Sequence, residues 1–281
     1  MYNFPIGVII NSFNLPIPDA VRKAASLPGV KGMQVYATRG EMSPEELTPA
    51  KRKEFLDLVK SNGLVISALC GDLGGGFANT DENPERVEKS KRILDLAKDL
   101  ETDIVTTHIG VVPTDKANPR YAVMQDACGE LAAYADSIDA HFAIETGPET
   151  SEVLKGFLDG LGSTGVGVNL DPANLVMVTG DDPANAVYNL KDYIVHTHAK
   201  DGRMLLKKNP EVVYGIVKDP IVTGPSFEEL PLGQGQVPWD RYLAALADIG
   251  FKGFLTIERE CGDDPARDIA MAVEFLKAKM A

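Results

Sequence analysis

The chain has 281 residues, of which 44% are hydrophobic and 25% are charged, and this composition excludes a disordered or fibrous protein. Its 28 Lys and Arg residues against 41 Asp and Glu residues leave a net charge of −13, which argues against binding to nucleic acid or to an anionic membrane surface. Three cysteines without a C-x-x-C pair exclude a disulfide framework and a structural zinc site. With no signal-peptide or membrane-span pattern, we expect a cytoplasmic protein.

Short apolar or β-branched runs alternate with longer amphipathic stretches along the whole chain. The runs predict eight strands, which are Ile6–Asn11, Val30–Ala37, Leu64–Gly71, Asp103–Gly110, His141–Gly147, Val166–Asp171, Tyr193–Lys200 and Phe254–Glu260. Helices are predicted between them, for example Ser43–Asn62, Asn83–Leu100 and Asn118–Asp139. Ser43-Pro44, Asn83-Pro84 and Asn118-Pro119 each offer a capping residue followed by Pro in the first turn, whereas Asn62-Gly63 and Ile249-Gly250 predict helix ends.

Strict alternation of strands and helices requires parallel strands with right-handed crossovers. Eight such units without a composition shift predict a single (β/α)8 barrel, with residues 1–281 as one domain. A doubly wound open sheet is the alternative, but no G-x-G-x-x-G follows the first strand. The glycine-rich stretch 71–76 lacks the G-K-[ST] of a phosphate loop, so we expect a mobile loop after the third strand.

One connection is much longer than the others, namely Asp201–Pro238 after the seventh strand. In a barrel this segment lies on the C-terminal face, where active sites are found, so a substrate lid is expected. Val212–Tyr214 and Ile216–Val217 are predicted to pair as a small hairpin within it.

Alternation of side chains along each strand predicts which polar residues enter the barrel. It places four of them at the C-terminal ends of successive strands, facing one cavity: Glu145, Asp171, His198 and Glu258. Three carboxylates in a low-dielectric site repel one another unless a cation or protons intervene, and a divalent cation would also use the imidazole. Three oxygen donors and one imidazole suit Mn²⁺, Mg²⁺ or Co²⁺ better than structural zinc. The same rule turns His108 inward and puts His196 deeper than His198.

Several motifs in this order resemble the xylose isomerase-like TIM barrel superfamily, which contains sugar isomerases, epimerases and endonuclease IV. These motifs are Thr107-His108-Ile109-Gly110, Ala143-Ile144-Glu145-Thr146-Gly147, Asn169-Leu170-Asp171-Pro172-Ala173-Asn174, Val195-His196-Thr197-His198-Ala199-Lys200-Asp201, the stretch 231–239 and Thr256-Ile257-Glu258. The resemblance implies that Glu145, Asp171, His198 and Glu258 hold one divalent cation, with Mn²⁺ favoured and Mg²⁺, Co²⁺ or Zn²⁺ as alternatives.

The function expected from this resemblance is a metal-dependent isomerase or epimerase of a small sugar or keto-sugar. The reaction would remove a proton next to a carbonyl and form a metal-stabilised enediolate, with Glu145 and Glu258 as catalytic bases. His108 and Lys200 occupy positions that often contact substrate, and Arg203 is a further rim cation. Asn174, which we also predict to bind substrate, stands where tagatose- and allulose-type epimerases usually have a histidine.

Two alternatives remain open, and a third is disfavoured. A metal-dependent dehydratase or lyase of a keto-sugar, keto-inositol or 3-keto-glycoside would share the first step. A sugar-binding or regulatory barrel would bind the sugar in the same cavity but would have lost catalysis. An abasic-site nuclease needs extra histidines where Cys70, Asn174 and Glu229 stand, and the negative charge disfavours it. The expected partner is a small carbohydrate, with neither nucleic acid nor membrane, and a homo-oligomer is left open.

Overall fold

In the computed structural model, which describes residues 2–218, 221 and 223–281, eight parallel strands close into a barrel. The barrel strands are β1 (Ile6–Ile9), β2 (Val30–Tyr36), β3 (Val65–Cys70), β4 (Ile104–Thr107), β5 (His141–Glu145), β6 (Val166–Leu170), β7 (Ile194–Ala199) and β10 (Leu255–Ile257). They follow one another in chain order around the barrel, and β10 pairs with both β7 and β1 to close it. The predicted (β/α)8 fold is therefore confirmed, although each strand ends before its predicted C-terminal residue.

The barrel is surrounded by helices that begin mostly at proline. They are α1 (Ile17–Ala25), α2 (Pro49–Ser61), α3 (Asn83–Asp99), α4 (Pro119–Ser137), α5 (Ser151–Leu158), α6 (Pro172–Asn174), α7 (Pro183–Asn189), α9 (Trp239–Asp248) and α10 (Pro265–Met280). A π-helical turn, Leu175–Thr179, continues α6. Among the described helices, none combines the length and the apolar character that a bilayer crossing requires.

The predicted start of α2 is wrong, and so is the predicted cap of α3, although α3 does begin at Asn83; in each case the proposed capping side chain has another partner. The Ser43 hydroxyl donates to the Gly40 carbonyl in a turn, and α2 begins six residues later, after the cap Thr48. Asn83 donates to the Phe77 carbonyl and lies inside α3, whose first turn it shares with Pro84. The Asn118 cap is confirmed, since its side-chain oxygen accepts the Arg120 amide at 3.0 Å.

The long connection after β7 contains its own small sheet. β8 (Asp201–Met204) pairs antiparallel with β9 (Phe227–Leu230), and between them lies the short helix α8 (Pro210–Val213). The predicted hairpin of Val212–Tyr214 with Ile216–Val217 is wrong, because Asn209 caps α8 through the Glu211 amide and turns the chain into helix. Asp219, Pro220 and Val222 of the predicted lid lie outside the described residues.

The strand register puts the polar side chains of the barrel at matching levels. Glu145 is level with Asn169 across β5 and β6, and Asn169 is level with His196 across β6 and β7. One pleat further along, His198 is level with Thr256. Because parallel strands all end at the same rim, residues far apart in sequence meet there above the apolar core.

Candidate metal and substrate site

Four buried side chains meet at the C-terminal rim of the barrel, as the alternation of the strands predicts. Glu145 ends β5, Asp171 follows β6, His198 lies near the end of β7 and Glu258 follows β10. One ligand atom from each of these residues lies within 4.8 Å of the other three. His198 Nδ1 is 3.5 Å from both Glu145 Oε1 and Asp171 Oδ2 and 3.1 Å from Glu258 Oε2. The spacing leaves one point that all four groups can reach.

The local sequence at Asp171 directs one oxygen into this space. Asp171 Oδ1 caps α6 by accepting the amides of Ala173 at 2.8 Å and Asn174 at 3.0 Å. Asp171 Oδ2 is buried without a hydrogen-bond partner, whereas buried Glu258 Oε2 has only its ion-pair contacts to His198 and Lys200. Buried carboxylate oxygens are normally hydrogen-bonded, so an unpaired Asp171 oxygen beside an imidazole and two further carboxylates fits the donor set of a divalent cation.

A glutamine below the cluster orients His198. Gln34 Oε1 lies 3.1 Å from His198 Nε2, and the Gln34 amide donates to the Thr106 hydroxyl at 2.8 Å. A proton on Nε2 would satisfy Gln34 and would leave the Nδ1 lone pair facing the three carboxylates. In metal-binding histidines, a hydrogen bond from one ring nitrogen commonly sets the tautomer and orientation of the ring, and the other nitrogen then faces the metal.

Asn169 links the two histidines of β7 to Glu145. Its amide donates to Glu145 Oε2 at 3.1 Å, and its Oδ1 lies 2.8 Å from His196 Nδ1. His196 Nε2 in turn contacts the Thr256 hydroxyl at 2.9 Å. Both ring nitrogens of His196 are therefore satisfied one layer below the cluster, and burial lowers its pKa well below the usual range. His196 is neutral and supports the site without facing the cavity.

The cluster carries more negative than positive charge. Burial alone would lower the pKa of His198, but the Glu145 and Glu258 carboxylates outweigh it and raise that pKa well above its usual value. Burial alone would raise the pKa of Glu258, but Lys200 and His198 hold it well below its usual range. Burial raises the pKa of Asp171. A proton on His198 therefore stands where a cation would bind, and cation binding should release it.

Two further cationic groups border the carboxylates. His108 Nδ1 lies 3.0 Å from Asp72 Oδ2, and Nε2 lies 3.5 Å from Glu145 Oε1. Burial would lower the pKa of His108, but Glu145 and Asp72 raise it to about 9. Buried Lys200 lies 2.7 Å from Glu260 Oε2 and 3.2 Å from Glu258 Oε2. Both side chains line the cavity, so each can donate to a bound oxygen.

The other two predicted substrate residues lie in different surroundings. Asn174 lines the cavity and donates its amide to Glu145 Oε1 at 3.1 Å and to the Thr146 carbonyl at 3.3 Å. Arg203 is not among the residues that line the cavity. Its exposed guanidinium pairs with Glu228 across the β8–β9 hairpin at 2.6 Å. Arg203 faces solvent because of its position in the β8–β9 pair. The sequence alone does not give the register of that pair.

A cavity of about 1110 Å³ opens above the cluster. Its floor contains Glu145, His198 and Glu258, and the segment between β7 and α9 contributes Val213, Tyr214, Phe227 and Glu229 to its walls. That volume is slightly above the range of about 300 to 1,000 Å³ found for small-molecule sites. The long connection thus covers one side of the site, which is the location expected for a lid.

Sequence reasoning missed three polar residues of this site, namely Gln34, Tyr36 and Asp72. Gln34 and Tyr36 both line the cavity from β2. The alternation that located Glu145 and His198 would also have turned these two residues inward, because they are two positions apart on one strand. Asp72, the partner of His108, lies in a loop and had no comparable signal.

Glu149 is a buried carboxyl just beyond β5, and its raised pKa makes the stability of the protein depend on pH. Its Oε2 accepts only a long bond from the Val112 amide, at 3.4 Å, and burial raises its pKa to about 8. An unfolded glutamate titrates near 4.3, so between these values the folded chain keeps a proton that the unfolded chain has lost. Stability should therefore fall as the pH rises from about 4.5 to 8.

We expect Glu149→Gln to remove this dependence, because the amide keeps an acceptor and cannot ionise. The variant should be more stable than wild type by about 4 kcal/mol at pH 8, with the difference shrinking toward pH 4.5. Urea unfolding at pH 5, 6.5 and 8 measures it. A difference that is the same at all three values would contradict a buried, protonated Glu149.

Comparison with known proteins agrees with this geometry. Residues 21–279 match the protein family described as xylose isomerase-like TIM barrel. A xylose isomerase domain protein from Planctomyces limnophilus is 26% identical, with a TM-score of 0.78 over 98% of this chain and 96% of that one. A probable 3-DHS dehydratase from Bacillus anthracis is 18% identical, with a TM-score of 0.74 over 98% and 99% of the two chains. A 3-keto-D-glucoside 4-epimerase from E. coli is 14% identical, with a TM-score of 0.74 over 98% and 100%.

Proposed function

Because the chain belongs to the xylose isomerase-like TIM barrel family, we propose that it is a divalent-cation-dependent isomerase or epimerase of a small sugar or keto-sugar. The observation that carries this proposal is the buried cluster of three carboxylates and one imidazole at the floor of an open cavity. The names of the structurally similar proteins, an epimerase and a dehydratase, agree with an enzyme that acts on a carbon next to a carbonyl.

The cation would be held by Glu145, Asp171, His198 and Glu258. Their mutual distances and the unpaired oxygen of Asp171 support this assignment. When bound, a divalent cation supplies a Lewis acid for two adjacent substrate oxygens. The oxygen-rich donor set favours Mn²⁺, with Mg²⁺, Co²⁺ or Zn²⁺ as alternatives.

The proton transfers are assigned to Glu145 and Glu258. One carboxylate removes the proton from the carbon beside the carbonyl, and the electron pair moves toward the carbonyl oxygen. If the other residue begins the cycle protonated and gives its proton to the opposite face, the product is an epimer and the two residues exchange protonation states. If the first residue returns the abstracted proton to the neighbouring carbon while the hydroxyl proton moves to the former carbonyl oxygen, the product is an isomer. His108 and Lys200, both charged at neutral pH, would donate to substrate oxygens as charge develops on them.

A dehydratase or lyase is a second candidate, and Tyr214 favours it. The Tyr214 hydroxyl lies 3.0 Å from the place that a Cβ would take on Gly147, two residues beyond Glu145. Burial, with Glu149 and Glu145 nearby, raises the pKa of Tyr214, so the phenol keeps its proton. After the same proton abstraction, this phenol could protonate a departing β-hydroxyl or alcohol.

One experiment separates these reactions. The protein, loaded with Mn²⁺, is incubated in D₂O with a panel of ketoses, a 3-keto-glucoside and a keto-inositol, and products are followed by NMR. Deuterium incorporation with a new ketose or aldose supports the isomerase or epimerase, and loss of water or of the aglycone supports the lyase. Absence of deuterium incorporation and of product across the panel would contradict both and would favour a sugar-binding barrel.

A further inference from the structure

The cavity above the cluster has two walls of different chemistry. On the side of β2 and α3 it is lined by charged residues, namely Arg39, Glu82, Glu85, Arg86 and Lys89. On the opposite side it is lined by large apolar or aromatic side chains, namely Met177, Val178, Val213, Tyr214 and Phe227, which we call the apolar wall. A sugar ring can lay one C–H face against an aromatic side chain, but the hydroxyl groups at its edges have no partner on this second wall.

Three separate segments build the apolar wall. Met177 and Val178 come from the π-helical turn, Val213 and Tyr214 from the end of α8, and Phe227 from the start of β9. Both α8 and β9 pack on the π-helical turn, which brings the five side chains to one side of the cavity. Met177 and Val178 are buried beneath, whereas Tyr214 and Phe227 are each 38% exposed. The aromatic pair is therefore available to a ligand.

Size and position connect this wall to the reacting carbon. The wall and the carboxylates line the same cavity, and its volume of about 1110 Å³ exceeds what one sugar ring needs. Exposed aromatic rings at the side of a site gain free energy when a ligand ring covers them, both from apolar burial and from ring stacking. A ligand that fills both regions would combine a polyhydroxylated ring with an apolar group, and an aromatic ring suits the exposed rings of Tyr214 and Phe227 best.

We propose that the apolar wall is a binding subsite for an aromatic aglycone, so that the natural substrate is an aryl glycoside or its keto form. This inference rests on the proposed function, since it takes the reacting sugar to lie over Glu145 and Glu258. The aglycone would lie between Phe227 and the ring of Tyr214, with Val213 and Val178 at its edges.

The test uses glycosides that lack a carbonyl, so binding is measured without turnover. Methyl and phenyl β-glycosides of glucose, galactose and mannose are titrated into the Mn²⁺-loaded protein by calorimetry. For the sugar that binds best as its methyl glycoside, we expect the phenyl glycoside to bind about tenfold more tightly. Phe227→Ala should reduce that ratio to below about threefold.

Leu205→Ala is the matched control, because Leu205 is an exposed apolar residue of the same segment that is not among the cavity-lining residues. It should keep the wild-type ratio.

The proposal is overturned if no sugar shows a phenyl preference, if no glycoside binds, or if Phe227→Ala leaves the preference intact. Size-exclusion chromatography tests whether a second copy of the chain covers the apolar wall instead. If the wild type shows no phenyl preference and Phe227→Ala loses an oligomer that the wild type forms, the wall is an interface between copies. Deuterium incorporation from the ketose panel with no phenyl preference would sink this inference and leave the proposed function standing.

Discussion

Glu145→Gln and Glu258→Gln should each lower the exchange of solvent deuterium into the substrate by about 10²- to 10⁴-fold. The amide keeps the size of the side chain and removes the group that accepts a proton from carbon. Glu145 also accepts the Asn169 and Asn174 amides, so Glu145→Gln must turn its own amide to keep one of these bonds. NMR in D₂O with the ketose on which the wild type is most active measures the effect.

Glu130→Gln is the matched control, since Glu130 lies on the outer side of α4 and pairs with Lys91 at 2.7 Å. It should exchange at the wild-type rate. Circular dichroism of all three variants tests whether each is folded. If both Glu145→Gln and Glu258→Gln are folded, retain the cation and still exchange deuterium at the wild-type rate, the roles assigned to these carboxylates are wrong.

Asp201→Ala should lower the free energy of unfolding by about 3 kcal/mol or more. The Asp201 carboxylate is 1% exposed and accepts four hydrogen bonds from the connection that it begins. Oδ1 accepts the Gly202 amide at 2.9 Å and the Val237 amide at 3.1 Å, while Oδ2 accepts the Gly233 amide and the Trp239 indole, each at 2.9 Å. Alanine would leave these donors without their acceptor in a buried position.

Urea unfolding measures this cost, and Trp239 is a direct probe because it is the single tryptophan of the chain. Asp240→Ala is the comparison, since Asp240 is the next residue after Trp239 and its side chain is 80% exposed against Lys279. That variant should unfold close to the wild-type midpoint. Equal midpoints for Asp201→Ala and the wild type would show that other contacts hold the long connection in place.

The strands and the four clustered side chains could be predicted because both follow from local patterns. Alternation fixes which side chains turn inward, and the parallel barrel then brings strand ends together whatever their separation in sequence. The position of Glu145 and Glu258 at the ends of apolar runs was therefore enough to predict that both face the cavity. The barrel topology then brings them close together.

The connection after β7 shows where such reasoning fails. Asn209-Pro210 is the same helix signal that correctly located α4 at Asn118-Pro119, and the β-branched residues after it were still interpreted as strand. The partner of β8 is β9, and the register of that pair depends on the hydrogen bonds of Asp201 to distant amides. The position of Arg203 on the outer side of this hairpin follows from that register. No local sequence pattern predicts the register.

Calorimetric titration with Mn²⁺ tests most directly whether four distant side chains hold one dication. Asp171→Asn is the informative variant, because asparagine can still cap α6 through its side-chain oxygen while it loses the charge of the unpaired oxygen. We predict one Mn²⁺ per wild-type chain, proton release on binding, and affinity at least about 100-fold weaker in Asp171→Asn. No saturable binding by the wild type, or equal affinity in the two proteins, would contradict the account.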